Sequence, residues 1–121
     1  MPTNTFYEYA ACDTCRKAKK WLTAHDVKFT AIPIVDAPPS REELVRFIKK
    51  SGLPARRWIN TSGQSYRALI AKHGKEAIES WSDDKLIGEL AKDGKLIKRP
   101  VLITAQKVLV GFREAEYAAE F

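Results

Sequence analysis

The 121 residues predict an α/β domain. Three observations carry this: a strand–helix–strand pattern fills the first 34 residues, a long helix-patterned stretch opens on two prolines, and two short β-branched runs precede a helical tail. A strand, helix and strand within about 30 residues favour parallel pairing, and a late hairpin adds two antiparallel strands. The expected order is βαβ, a helical insert over about 38–97, then ββα, on a mixed four-stranded sheet. No repeat, low-complexity segment or linker divides the chain, so 1–121 reads as a single domain.

Residues 3–9 hold Phe6, Tyr7 and Tyr9 and read as the first strand. Over 13–25, Cys15, Ala18, Leu22 and His25 fall on one helical stripe with Trp21 beside it, while Arg16, Lys17, Lys19 and Lys20 take the other face. His25 suits the negative end of this helix and is given no catalytic role. Residues 27–34 carry Val27, Phe29, Ile32 and Ile34; Pro33 confines this strand to a sheet edge or its own last residue. Pro38-Pro39 stops regular structure, and Ser40 with Glu43 forms a capping box. The helix it opens uses Leu44, Val45, Phe47 and Ile48 and ends at Gly52 and Pro54. A short helical turn at 54–59 and a turn cluster at Asn60-Thr61-Ser62-Gly63 follow. Helical patterns then cover 64–72 and 83–93, the second led by Ser82 and ended by Asp93-Gly94. Val101-Leu102-Ile103 and Val108-Leu109-Val110 form a hairpin, although the turn lacks Asn-Gly chemistry. Residues 113–121 make a short amphipathic helix. Trp21, Trp58 and Trp81 read as packing residues.

Hydrophobic residues are 45% and charged residues 30%, which excludes disordered, collagenous and coiled-coil classes. No apolar run approaches the roughly 18 residues of a membrane helix. The N-terminus lacks a basic region followed by an apolar one, so a cytoplasmic location is expected. Net charge is +6 and uneven: residues 1–74 hold 13 Lys and Arg against 6 Asp and Glu, residues 75–121 hold 8 against 9. On charge alone a solvated basic surface reads slightly ahead of a surface that draws an anion or an acidic protein. No nucleic-acid recognition motif accompanies the charge, so neither nucleic acid nor membrane is an expected partner.

Cys12-Asp13-Thr14-Cys15 stands where the first strand gives way to the first helix. A helix N-terminus presents unpaired amides and a partial positive charge, which favour a thiolate and lower its pKa. Cys12 is expected to be exposed and to attack; Cys15, one turn on and facing inward, is expected to resolve the adduct as a disulfide. Small buried side chains, half a zinc site and an inert disulfide are the rival readings. A zinc site needs four ligands at recurring spacing, which His25 and His73 do not supply. An inert disulfide is rare in the cytosol. Asp13 opposes thiolate formation if close, or caps the helix. Arg16 either lowers the pair's pKa or faces water.

Three segments in register carry a resemblance. Glu8-Tyr9-Ala10-Ala11-Cys12-Asp13-Thr14-Cys15-Arg16-Lys17-Ala18 resembles the active-site segment of the ArsC/Spx family, the arsenate reductase-related branch of the thioredoxin-like fold. Lys98-Arg99-Pro100-Val101 resembles its Arg-Pro segment, and Val108-Leu109-Val110-Gly111-Phe112-Arg113 its closing signature. The resemblance implies a thiol–disulfide redox protein in which Cys12 is the nucleophile and Arg99 and Arg113 frame an oxyanion. It implies a cis bond at Pro100 facing the cysteines; without it, Pro100 reads as a trans proline and Arg99 equally as a solvated arginine. A third family arginine falls where Asn60-Thr61-Ser62 stands, and Arg56 and Arg57 are nearby. This departure predicts weak arsenate reduction and a closer likeness to Spx-type or uncharacterised arsenate reductase-like members. The implied substrate is an anion such as arsenate or the carboxylates of glutathione. Glutathione or a thioredoxin- or glutaredoxin-type protein is the implied reductant, with no metal or organic cofactor. The alternative is an Spx-type regulator whose cysteine pair switches binding to the RNA polymerase α subunit.

Overall fold

The computed structural model describes residues 4–121, so the first residue of the expected opening strand lies outside it. Strand β1 (Asn4–Glu8) leads through helix α1 (Asp13–Ala24) to strand β2 (Phe29–Pro33), and β1 and β2 pair in parallel. Strands β3 (Val101–Ile103) and β4 (Val108–Val110) form the antiparallel hairpin. β3 also pairs antiparallel with β1, giving one mixed sheet in the order β2-β1-β3-β4. β2 is therefore an edge strand, and Pro33 is its last residue, where a missing amide leaves no ladder bond unmade.

Side chains alternate across the sheet, and both faces are covered. Phe6, Leu102 and Leu109 are paired neighbours across three strands and pack with Ala18, Leu22 and Tyr117, joining the sheet to α1 and to helix α6 (Glu114–Glu120). Tyr7, Val101 and Val108 face the other way, into the helical insert. This is why β1 reads as apolar on both sides.

The insert holds helices α2 (Arg41–Ser51), α3 (Gln64–His73), α4 (Lys75–Glu79) and α5 (Asp83–Lys92), with 3-10 turns at Ala55–Trp58 and Gly94–Leu96. Its core, with Leu44, Trp58, Leu90 and Ile97 all at 0% exposure, lies directly on the sheet. Both halves of the Ser40–Glu43 capping box form, and Gly52 ends α2 in the left-handed conformation at φ 75°. Ser82 caps α5 by accepting the Lys85 amide. Helix α4 and the second 3-10 turn were not foreseen; five and three residues are too short for a periodic signal.

Gly94 differs from the sequence reading in its reason. A Cβ there would lie 2.0 Å from the Ile34 carbonyl oxygen, so the residue is small because the insert touches the end of β2 backbone to backbone. The hairpin turn replaces Asn-Gly chemistry with Thr104, whose buried Oγ1 accepts the Gln106 and Lys107 amides at 3.3 and 2.9 Å.

Candidate functional site

Strand β1 hands the chain to a tight turn in which the Cys12 amide donates to the Tyr9 carbonyl at 3.0 Å. Cys12 is the extended residue just before α1, and its Sγ accepts the Cys15 amide at 3.3 Å. The helix is thus capped by the thiol itself and not by Asp13, which lies exposed in the first turn and pairs with Arg16. The hydrogen bond and charge of Arg16 hold the Asp13 carboxyl below the usual carboxylate range. Arg16 also donates to the Ala10 carbonyl at 3.1 Å and points outward, so it is no part of the site's wall.

Cys15 sits one turn on at 1% exposure, on the stripe with Ala18 and Leu22. Burial, with a hydrogen bond to Cys12, pushes its thiol up to about 12. Cys12 moves the other way. Burial tends to raise it, but the Cys15 thiol and amide and the Arg99 guanidinium together outweigh that and hold it below an ordinary cysteine. The pair is split into an acidic, accessible thiol and a buried, protonated one.

The Arg99–Pro100 bond is cis. Arg99 lines the same cavity as Cys12, stacks its guanidinium carbon 4.8 Å from the Tyr9 ring centre, and donates one Nη to the Lys95 carbonyl at 3.2 Å. Pro100 is buried; its carbonyl accepts the Gly111 amide at 2.8 Å, and its ring does not line the cavity.

A cavity of about 370 Å³ opens over Cys12. It brings together four residues singled out from the sequence: Cys12, Asn60, Arg99 and Arg113. Thr14, Ser62, Lys98 and Phe112 also line it and were missed, since each reads alone as an ordinary loop or helix residue. Asn60 is fixed by its own turn, its Oδ1 accepting the Ser62 amide at 3.3 Å. Arg56 does not replace the absent arginine: its guanidinium donates to the Ile78 carbonyl at 3.1 Å and to that of Trp81. Arg57 lies with Lys98, Arg113 and Glu116 in a small adjoining cleft. Among the described residues no three His, Cys, Asp or Glu side chains converge as metal ligands do. Nor, among the described residues, is any helix long and apolar enough to cross a membrane.

A thiolate at a helix start, with a planar cation beside it and further cations around it, is suited to attack at a centre carrying negative charge. Comparisons with known proteins agree in extent. The ArsC family pattern matches residues 7–120. The YusI protein of Bacillus subtilis is 47% identical over 113 residues, 93% of each chain. The global transcriptional regulator Spx of Streptococcus pyogenes is 30% identical over 115 residues, 95% of this chain and 82% of that one. A crystal structure of an ArsC family related protein from Bacteroides fragilis superposes with a TM-score of 0.90 at 41% identity, covering 97% of this chain and 96% of that one. The likeness spans nearly the whole chain, and the chain belongs to the ArsC family, on a thioredoxin-like fold.

Proposed function

We propose that the protein is a thiol–disulfide oxidoreductase acting on an anionic substrate. The Cys12 thiolate attacks, and Cys15 then displaces the adduct by closing a Cys12–Cys15 disulfide. Arg99 and Arg113, with Lys98 and Asn60, hold the substrate's negative charge. Glutathione or a thioredoxin- or glutaredoxin-type protein returns the pair to the dithiol, in the cytoplasm, without a metal or organic cofactor. The observation that supports this most is the Cys12 sulfur itself: it caps α1, meets Arg99 and opens into the cavity, while its partner thiol is buried behind it. The test is to trap adducts on a Cys15→Ser variant and identify them by mass spectrometry. Adducts on Cys12 with anionic thiols or acidic protein partners are expected; their absence across cell extracts and oxidised glutathione would remove the proposal.

One observation favours a second reading, a redox-switched regulator. Arg16, Lys19 and Lys20 form an exposed basic face on the same helix that carries both cysteines. Closing the disulfide perturbs the first turn of that helix. Oxidised and reduced protein passed over immobilised RNA polymerase α C-terminal domain at near-physiological salt separates the readings. Redox-dependent binding lost in a Cys12→Ser variant places the regulator first.

A further inference from the structure

The cavity over Cys12 does not end at its own wall. Lys98, Val110 and Arg113 line it and also line a cleft of about 70 Å³ beside it, where Leu53, Arg57 and Glu116 complete the lining. Backbone contacts make the three cations of this cleft neighbours. The Lys98 amide donates to the Trp58 carbonyl at 2.8 Å, which sets Lys98 beside the 3-10 turn that carries Arg57. The Lys98 stem lies against Gly111, its Cε 3.5 Å from where a Cβ would stand. Arg113 opens α6, its carbonyl accepting the Glu116 and Tyr117 amides at 3.0 and 3.2 Å.

All three cations are exposed, and among the described residues none of them forms an ion pair; the pairs present use Arg16, Lys19, Arg41 and Lys92. Glu116 is the cleft's one acid, and it stands in the first turn of α6, where the helix itself favours a carboxylate. The cleft therefore holds an excess of positive charge, and cations held side by side repel until an anion enters. Arg57 lines the cleft and not the main cavity, so its charge is placed for a group carried beside the reacting centre.

We infer that this cleft is a specificity subsite for an acidic peptide segment: it takes the carboxylate of an Asp or Glu flanking the cysteine that reacts with Cys12. The inference rests on the thiol–disulfide reading above and names the partner of that site, a protein cysteine with acidic neighbours. Lys98 and Arg113 serve both chambers; Arg57 serves the flanking residue alone. In the pairing step the Cys12 thiolate attacks the peptide sulfur of a disulfide, peptide–S–S–R. The Cys12–peptide disulfide bond forms and the bond to R–S breaks. Cys12 ends oxidised, and the electron pair leaves on RS⁻, which takes a proton from water to give RSH.

The experiment uses the full chain as Cys15→Ser, so that the adduct is not resolved. Two blocked peptides carry one cysteine as its mixed disulfide with 2-thiopyridine, followed by two Asp in one and two Asn in the other. Release of pyridine-2-thione gives the rate, and mass spectrometry locates the adduct on Cys12. Each rate is divided by that of the same peptide with mercaptoethanol, which removes the disulfide's own reactivity. At low salt the acidic peptide is expected to react about tenfold faster. That ratio should fall toward one at 1 M salt, where the screening length is about 3 Å.

Arg57→Gln should cut the ratio about threefold, the size of one exposed ion pair, and Arg57→Lys should keep most of it. Lys28→Gln removes the same charge just before β2, at the end of the sheet far from Cys12, and should leave the ratio as it is. That control separates the cleft from the chain's net charge of +6. A ratio near one at low salt, or one that Arg57→Gln leaves unchanged or Lys28→Gln lowers equally, overturns the inference while the redox reading stands. An Arg57→Gln variant that slows both peptides alike makes Arg57 structural and also overturns it. If neither peptide forms an adduct on Cys12, the thiol does not attack, and the redox reading falls with the inference.

Discussion

The Cys12 sulfur and the Cys15 amide are 3.3 Å apart, so the attacking thiol is held by the backbone of the residue that would resolve it. One contact caps the helix, lowers the pKa of the first thiol and fixes the second a turn behind it. The fold itself makes the two sulfurs unequal, one more acidic than an ordinary cysteine and one buried and held protonated.

That asymmetry is measurable. Alkylation by iodoacetamide, followed against pH and mapped by mass spectrometry, should modify Cys12 first, with a midpoint below the roughly 8.5 of a free cysteine. Cys15 should stay unmodified in the folded protein up to about pH 10. Earlier reaction at Cys15 would reverse the assignment.

Arg99 and Arg16 should separate cleanly. Arg99 meets the Cys12 sulfur, whereas Arg16 is spent on Asp13 and the Ala10 carbonyl. Arg99→Leu should raise the Cys12 midpoint by about one pH unit, since one opposite charge at close range shifts a pKa by about 1–3 units. Arg16→Gln should leave it in place. The same alkylation titration reads both.

Stability should fall at alkaline pH through Cys15. Its folded value, about 12, lies above the unfolded value of about 8.5. The folded chain therefore keeps a proton that the unfolded chain releases, so this stabilisation is complete below about pH 8.5 and lost as pH rises toward 12. Cys12 has the opposite sign: its contribution is present above the unfolded value and lost as pH falls through its lower folded value. Between pH 8 and 10, urea unfolding of the wild type should lose about 1–2 kcal/mol more than that of Cys15→Ala. Equal losses would contradict the burial argument.

Arsenate should be a poor substrate. Asn60 offers an amide where the family resemblance implies an arginine, and Arg56 is turned to the Ile78 and Trp81 carbonyls. One such contact to a developing oxyanion is worth about 10²–10³ in rate. A coupled NADPH assay with glutaredoxin and thioredoxin systems should find slow turnover that Asn60→Arg raises. Wild-type turnover equal to that of a family arsenate reductase would refute this.

Gly94 and Gly52 should answer differently to alanine. At Gly94 the new methyl meets the Ile34 carbonyl at 2.0 Å, and backbone cannot step aside as a side chain can. A loss of about 3 kcal/mol or more is expected, a fall of roughly 10 °C in melting temperature. Gly52 has open space around its Cβ position and only the left-handed φ of 75° to resist substitution, so about 1 kcal/mol is expected.

The sequence made the elements legible wherever a local signal exists. Ser40 with Glu43, Ser82, Pro33 and the apolar stripe of α1 each act within a few residues, and each stands in its place. The cavity was legible only in part. Cys12, Asn60, Arg99 and Arg113 carry recognisable chemistry, but Thr14, Ser62, Lys98 and Phe112 reach the same wall through chain crossings that no local pattern encodes. Tyr117 was hidden for the same reason: in sequence it is an aromatic residue on a short tail, and only the folded packing sets it against Ala18 and Leu22 of α1.

The insert is stitched to the strand side of the site by the bridge between Ile59 and Ile97, with the Asn60 amide on the Leu96 carbonyl and the Lys98 amide on that of Trp58, both at 2.8 Å. Asn60 lies in this seam and Arg99 one residue beyond it. The spacing between Asn60 and Arg99 on the cavity's walls is therefore a dimension of the folded backbone. A cavity built this way is a gauge and not a clamp: its opening is cut by backbone and only trimmed by side chains. Evolution of its preferences would proceed by trading the side chains that face the opening while leaving the seam untouched.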